Sequence, residues 1–413
     1  MDPEDAGTPV EGASPAAEGH QTTASLQATS PPQAAMPDRP ERGILARAWS
    51  LIAVPLGAIV LSLLVGAIVM IVSEALVTGR FEVGLPFEAY RSLVEGAVGS
   101  GNALVSTVVQ ATPLVLAGLA VGICFKAGLF NIGAQGQFLM GALTAGAVGA
   151  SMAHSGPALA VPVALIAAAL AGAAYGAIPG FLKAYTGAHE VVTTIMLNYI
   201  AIFTIAYLVT GPLRARGASF ARTADVGDAA LPIIIGRDGH IGLLIALVAV
   251  PIAYWLLWRT TVGFEIRTVG ANPEAARYAG MRPRRLVVMV MTLGGLLAGL
   301  AGAGEILGRA GFMPAALSTN VGFDAITVAL LGRAHPVGIL LSGLLFGAMR
   351  AGANQMQIVA GVPAEMIDVL QGVILLFLAA NIIVRRVFRL RAARIPVAEI
   401  QTVTRSYGEQ ASR

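Results

Sequence analysis

From Ala127 to Leu182 the chain carries no Lys, Arg, Asp or Glu, and this constrains its fold more than any other feature. A helix needs about 20 apolar residues to cross about 30 Å of hydrocarbon, and this stretch is long enough for two such crossings. The break Ser151–Pro157 (SMAHSGP) divides it accordingly. Charged residues are only 12% of the sequence, about half their share in soluble domains. A water-soluble enzyme is therefore excluded, and so is a disordered chain, which needs low hydrophobicity and high charge density. The runs are continuous and rich in Leu, Ala and Gly, without the alternation of a membrane barrel. The expectation is an all-α, polytopic membrane protein.

Apolar runs predict spans at 51–72, 103–125, on either side of Ser151–Pro157, and at 191–210, 241–258 and 286–304. Beyond these, 322–332 is too short for a regular span, 336–349 is marginal and 366–384 is better. About ten segments result, with eight or nine crossings as alternatives. Polar segments intervene at Ser73–Asn102, Gly211–His240 and Arg259–Arg285. Residues 1–43 are rich in Pro, Ala, Ser, Thr and Gln, and seven acids stand there against Arg39 and Arg42. They read as a disordered cytoplasmic tail with no basic start of a signal peptide. The membrane-embedded body is then 44–390, followed by a short tail at 391–413. With the N-terminal tail inside, seventeen Lys and Arg fall on the inner side and eight on the outer, two more lying in the far C-terminal tail. The bias places both termini in the cytoplasm.

Several chemistries find no support. Cys124 is the single cysteine, so no intrachain disulfide can form, and the five histidines show no metal-ligand spacing. The net charge of +4 comes from arginines beside apolar runs and needs no nucleic-acid partner. No GxxxxGK[ST] motif occurs, so the chain does not hydrolyse ATP itself. We therefore expect no catalytic residue, no metal and no bound cofactor.

The most informative segment is Gly270–Met281 (GANPEAARYAGM), in the largest inner loop. Asn272 is a good N-cap, Pro273 suits the first turn, and Glu274 favours the positive end of the helix dipole. Gly280 can stop the helix in a left-handed conformation, and Pro283 prevents its continuation. A helix of about two turns over 272–281, closed at both ends by local signals, is marginal alone in water. It should dock on a partner.

Glu274–Gly280 (EAARYAG) resembles the EAA-x-x-x-G pattern of ABC-transporter permeases, whose cytoplasmic coupling helix seats in a groove of the ATPase subunit. Residues 129–146 (LFNIGAQGQFLMGALTAG) and 189–201 (HEVVTTIMLNYIA) are similar to permeases of the branched-chain amino acid, ribose and nucleoside group, especially its sugar and nucleoside members. The likeness covers about 50–385. It implies a ten-span importer permease in a bacterial cytoplasmic membrane, paired with a second permease subunit, the same or related. It also implies separate ATPase subunits carrying ATP and Mg, and an extracytoplasmic binding protein or lipoprotein. Asn272, Glu274, Ala275, Ala276, Arg277, Tyr278 and Gly280 would then form the ATPase-coupling element.

Uncharged polar residues inside the spans are Asn131, Gln135, Gln137, Asn198 and Tyr199. Such groups either bond across helices or line a watery path, and amides and hydroxyls suit a neutral polar solute without burying charge. Glu305 and Asp324 flank the seventh and eighth segments, as functional groups or as carboxylates solvated at the outer interface. The expected function is an importer permease for a nucleoside. The alternatives are a monosaccharide such as ribose, a stand-alone secondary transporter, or a non-transporting scaffold. The inner-loop helix argues against the lone carrier, and the polar residues within spans against the scaffold.

Overall fold

The computed structural model describes residues 44–317 and 319–387, so the expected tails at 1–43 and 391–413 lie outside the described residues. Met1–Ala46 and Arg47–Arg413 are two units, and every element after the first belongs to the second. In chain order these are α1 (Ile44–Thr78), α2 (Leu85–Val98), α3 (Gly101–Lys126), α4 (Ala134–Ser151), α5 (Pro157–Phe181) and α6 (Glu190–Thr210). A small antiparallel hairpin follows, β1 (Ile233–Ile235) and β2 (Gly239–His240), then α7 (Gly242–Arg259), α8 (Thr261–Ala271) and α9 (Pro273–Tyr278). The last are α10 (Pro283–Glu305), α11 (Val321–Leu331), α12 (Pro336–Ala360), α13 (Met366–Ala379) and α14 (Asn381–Val387). Single π-helical turns, Leu182–Thr186 and Ile306–Ala310, extend α5 and α10.

The protein is an all-α polytopic membrane protein, and each of the ten expected apolar segments is helical. Among the described residues, seven helical stretches are long and apolar enough to cross a membrane: α1 from Ala53, α3, α5, α6, α7, α10 and α12, the fifth and tenth helices counted with their π turns. α4 carries Gln135 and Gln137 near its start, and α11 and α13 have only 11 and 14 residues.

Three features depart from expectation. The polar segment Ser73–Asn102 contains α2, whose buried residues Ala89, Leu93 and Ala97 recur at helical spacing. Its Leu93 carbonyl lies against Gly352 of α12, so charged residues on its other face masked a packed helix. The marginal 336–349 is the first half of a 25-residue helix, because Arg350, which dilutes the apolar signal, is neutralised by Asp324. The loop Gly211–His240 holds the hairpin.

α3 is the central element, buried from Leu114 to Cys124 without interruption. It packs against α10, α11 and α12, while α10 also packs against α4 and α5. Small residues set these distances. Gly172 and Gly176 of α5 face Gly295 and Gly299 of α10 with no room for a Cβ, and Gly141 of α4 lies against Gly299. In lipid, where tails are as apolar as Leu, such close backbone approach and its dispersion contacts hold helices together. The outward residues Leu64, Ile68, Leu170, Phe203 and Trp255 are exposed and apolar, as a lipid-facing surface requires.

Candidate functional site: a capped elbow and a buried helix break

The segment after α7 folds by local signals. Thr260 caps α8, its Oγ1 accepting the Gly263 N–H at 3.0 Å. α8 buries Gly263, Ile266 and Val269 against the body. At Asn272 the backbone turns extended, and Asn272 Oδ1 accepts the N–H groups of Glu274 and Ala275, both at 3.0 Å. α9 ends in a Schellman motif: Met281 N–H donates to the Ala276 carbonyl and Gly280 N–H to the Arg277 carbonyl, both at 3.0 Å, with Gly280 at φ +81°. A Cβ on Gly280 would touch nothing, so glycine serves the backbone angle and not close packing there.

The surface of α9 is divided. Glu274, Ala275, Arg277 and Tyr278 are exposed, the tyrosine at 93%, whereas Ala276 is fully buried. Ala276 therefore anchors the short helix to its own body, and the residues free to meet a partner are the other four.

The in-span amides gather where helices break. α4 begins at Ala134 and α11 at Val321, both buried, so their first N–H groups have no water to turn to. Asn198 of α6 caps the first: its Oδ1 accepts Gly136 N–H at 2.8 Å and its Nδ2 donates to the Ile132 carbonyl at 3.1 Å. Gln135 caps the second: its Oε1 accepts Gly322 N–H at 2.7 Å and its Nε2 donates to the Thr319 carbonyl at 2.8 Å. Asn131 and Gln137 form a reciprocal amide pair, 3.0 and 3.3 Å, beside Cys124. The structure thus brings four of the five predicted polar residues to one break, each bonded to protein groups. It leaves Tyr199, 55% exposed, outside this packed interior.

The two flagged carboxylates are not solvated at a surface. Glu305 is buried and meets Arg309 at 3.0 Å, and this guanidinium also donates to Gln110 of α3. Asp324 pairs with Arg350 of α12, and Gln371 of α13, oriented with its amide nitrogen inward, donates to both carboxylate oxygens. Pairing offsets the cost that solvation was expected to remove. Sequence reading missed this network because Arg350 is 26 residues from Asp324, whereas the Glu305–Arg309 spacing of four is a readable helical signal. It also missed the buried Lys183–Glu190 pair, at 2.6 Å across the bend between α5 and α6. Asn320, Thr319, Glu365 and Asp368 line an open cleft of about 420 Å³ beside the start of α11.

Two histidines outside the spans are held toward neutrality. Burial lowers the His240 pKa and the charge of Arg309 adds to this. His335 is lowered by burial and then by Lys126. Its ring packs against Trp258 and Tyr254 of α7.

Comparison with known proteins accords with this architecture. The family model described as branched-chain amino acid transport system, permease component, matches residues 103–379. The guanosine ABC transporter permease NupP of Bacillus subtilis is 41% identical over 340 residues, covering 80% of this chain and 94% of that protein. The nucleoside ABC transporter permease NupB of Lactococcus lactis is 34% identical over 87% of this chain and 98% of its own length. The glucose ABC transporter permease TsgB13 of Haloferax volcanii is 38% identical over 72% of this chain and 81% of its own length. No solved structure matches. With the family model spanning α3 to α13 and relatives matched almost end to end, the chain belongs to the branched-chain amino acid transport system permease family and is an ABC-transporter permease.

Proposed function

We propose that this permease imports a nucleoside across a bacterial cytoplasmic membrane, driven by separate ATPase subunits that carry ATP and Mg, with a second permease subunit and an extracytoplasmic binding protein completing the complex. The observation that carries the ATPase half of this reading is α9, a self-capped helix that presents Tyr278, Arg277, Glu274 and Ala275 to the outside. Local caps keep its shape without a partner, so its exposed face is preorganised for docking. Tyr278 is the large anchor and the two charges set orientation. Closure of the ATPase pair on ATP would move α9, and the spans would change which side is open.

We infer that the path for the solute runs beside the break where α4 and α11 begin, since transporters build such sites at interrupted helices. Asn131, Gln135, Gln137 and Asn198 fix the walls of that break, and Tyr199 stands on the adjoining face of α6. Two relatives at 41% and 34% identity named for guanosine and nucleosides support the substrate class. The relative named for glucose favours a second reading, a monosaccharide. Uptake of radiolabelled guanosine and glucose, in cells with and without this chain, separates the two. Saturable guanosine uptake that depends on the chain is expected, and uptake of glucose alone would overturn the nucleoside assignment.

A further inference from the structure

The coupling elbow does not end at α7. Arg267 of α8 extends its guanidinium over the Trp258 ring, 5.9 Å from the centroid. Trp258 stacks on Tyr254 one turn earlier, 5.3 Å apart and 14° from parallel, and both rings meet His335, at 5.0 and 5.8 Å. His335 is the N-cap residue of α12 and the last residue of the Gly332–His335 turn after α11. A cation and three rings therefore join α8, α7 and the α11–α12 turn in one continuous contact.

The far end of this contact is strained. Arg333, at φ 54°, and Ala334, at φ 50°, are the non-glycine residues with positive φ among the described residues. Side chains rarely adopt that region, and surrounding packing must hold them there. Ala334 is buried, its N–H donates to the Ala329 carbonyl at 2.7 Å, and it lies beside Gly122 of α3. Beyond the turn, α11 runs to the helix break and carries Asp324, the partner of Arg350.

We propose that His335 and Trp258 are positioning residues that relay movement of the α8–α9 elbow to the strained α11–α12 turn, and through α11 to the break with α4. The relay rests on the docking of α9 proposed above, since that docking supplies the movement. Its physical basis is contact between rigid, flat groups at element ends: Trp258 lies in the last turn of α7 and His335 at the end of the α11–α12 turn, so a shift of one ring presses on the element that carries the other. A turn held at backbone angles that side chains rarely adopt is a place where a second arrangement would relieve strain, and such a two-state element is what a relay needs.

The test uses the complete transporter complex and a reporter at position 333, whose residue is exposed. Arg333→Cys in a Cys124→Ser background is labelled with a maleimide in the nucleotide-free complex and in the complex trapped with ATP and vanadate. We expect the labelling rate to differ by about threefold or more between the two states, the scale of a modest coupling energy. Trp258→Ala or His335→Ala should abolish that difference while the ATPase subunits still co-purify, and His335→Phe, which keeps a ring, should restore it. A nucleotide-dependent difference that persists in His335→Ala overturns the relay, as does its absence from the parent. Should the alanine variants give no folded protein, His335→Phe and His335→Gln carry the comparison, and equal responses in the two overturn it. Tyr278→Ala is run in parallel. An unchanged response there removes the docking of α9, whereas loss there with a persistent response in His335→Ala removes only the relay.

Discussion

Asn198 shows how the chemistry of a single residue can be legible in the sequence while its partners are not. Its chemistry, an amide in an apolar helix, is visible in the sequence, but its partners, Gly136 N–H and the Ile132 carbonyl, lie more than 60 positions away. Only the fold shows that it caps a buried helix start. Each buried group left unpaired costs about 1–3 kcal/mol, so Asn198→Leu and Gln135→Leu, which orphan two groups apiece, should lower the melting temperature in detergent and the yield of folded protein. Tyr199→Leu, at an exposed ring, should change neither. Full stability with lost uptake in the two amide variants would instead assign them to the solute path. The Asp324–Arg350 pair makes a parallel case. Removing one partner leaves a largely desolvated charge unpaired, at a cost approaching the roughly 3–5 kcal/mol of a fully buried pair, whereas replacing both by apolar groups of similar size is often near neutral. Asp324→Asn should therefore destabilise more than the double variant Asp324→Leu, Arg350→Met, as thermal unfolding of the purified permease will show. If the double variant proves the less stable, the pair contributes more than mutual neutralisation.

Among the elements, those defined by local signals were legible and those defined by partners were not. α9 formed as its caps foretold, because Asn272, Pro273 and Gly280 act within a few residues of one another. α2 is hidden because the small and apolar residues it buries are interleaved with charged ones, and α12 reads as marginal because it carries Arg350, whose neutralisation by Asp324 of α11 only the fold shows. For α9, fold and docking can be separated by experiment. Tyr278 is almost wholly exposed, so Tyr278→Ala should leave expression and melting temperature unchanged while weakening co-purification of the ATPase. Gly280→Val acts differently: a β-branched side chain at φ +81° opposes the left-handed stop, at about 1–2 kcal/mol, and should loosen α9 itself. An intact ATPase complex in both variants would show that α9 is not the docking element. Ala276→Asp is a poor probe of docking, since a buried site would fail by unfolding the elbow.

At the scale of the whole molecule, the charge pattern and the fold address one question from opposite directions. The ten apolar segments were legible because lipid imposes a length and an apolarity on every crossing. Their packing was not, because the glycine seams of α5 and α10 look in sequence like any other small residues. Orientation rests on the excess of Lys and Arg on one set of connections, seventeen against eight. The fold adds a constraint, since α8, α9 and the α11–α12 turn share the side on which Trp258, Arg267 and His335 meet. If that side is cytoplasmic, Ala275, exposed on α9, and Arg333, exposed on the turn, must both be reachable from the inside, while Arg237, at the tip of the β1–β2 hairpin, must be reachable from the outside. Single cysteines at these three positions in a Cys124→Ser background, labelled with an impermeant maleimide in intact cells and then after permeabilisation, give the answer. Position 237 should label in intact cells, and positions 275 and 333 only after permeabilisation. Labelling at 275 in intact cells would invert the molecule and place α9 beyond the reach of any cytoplasmic ATPase.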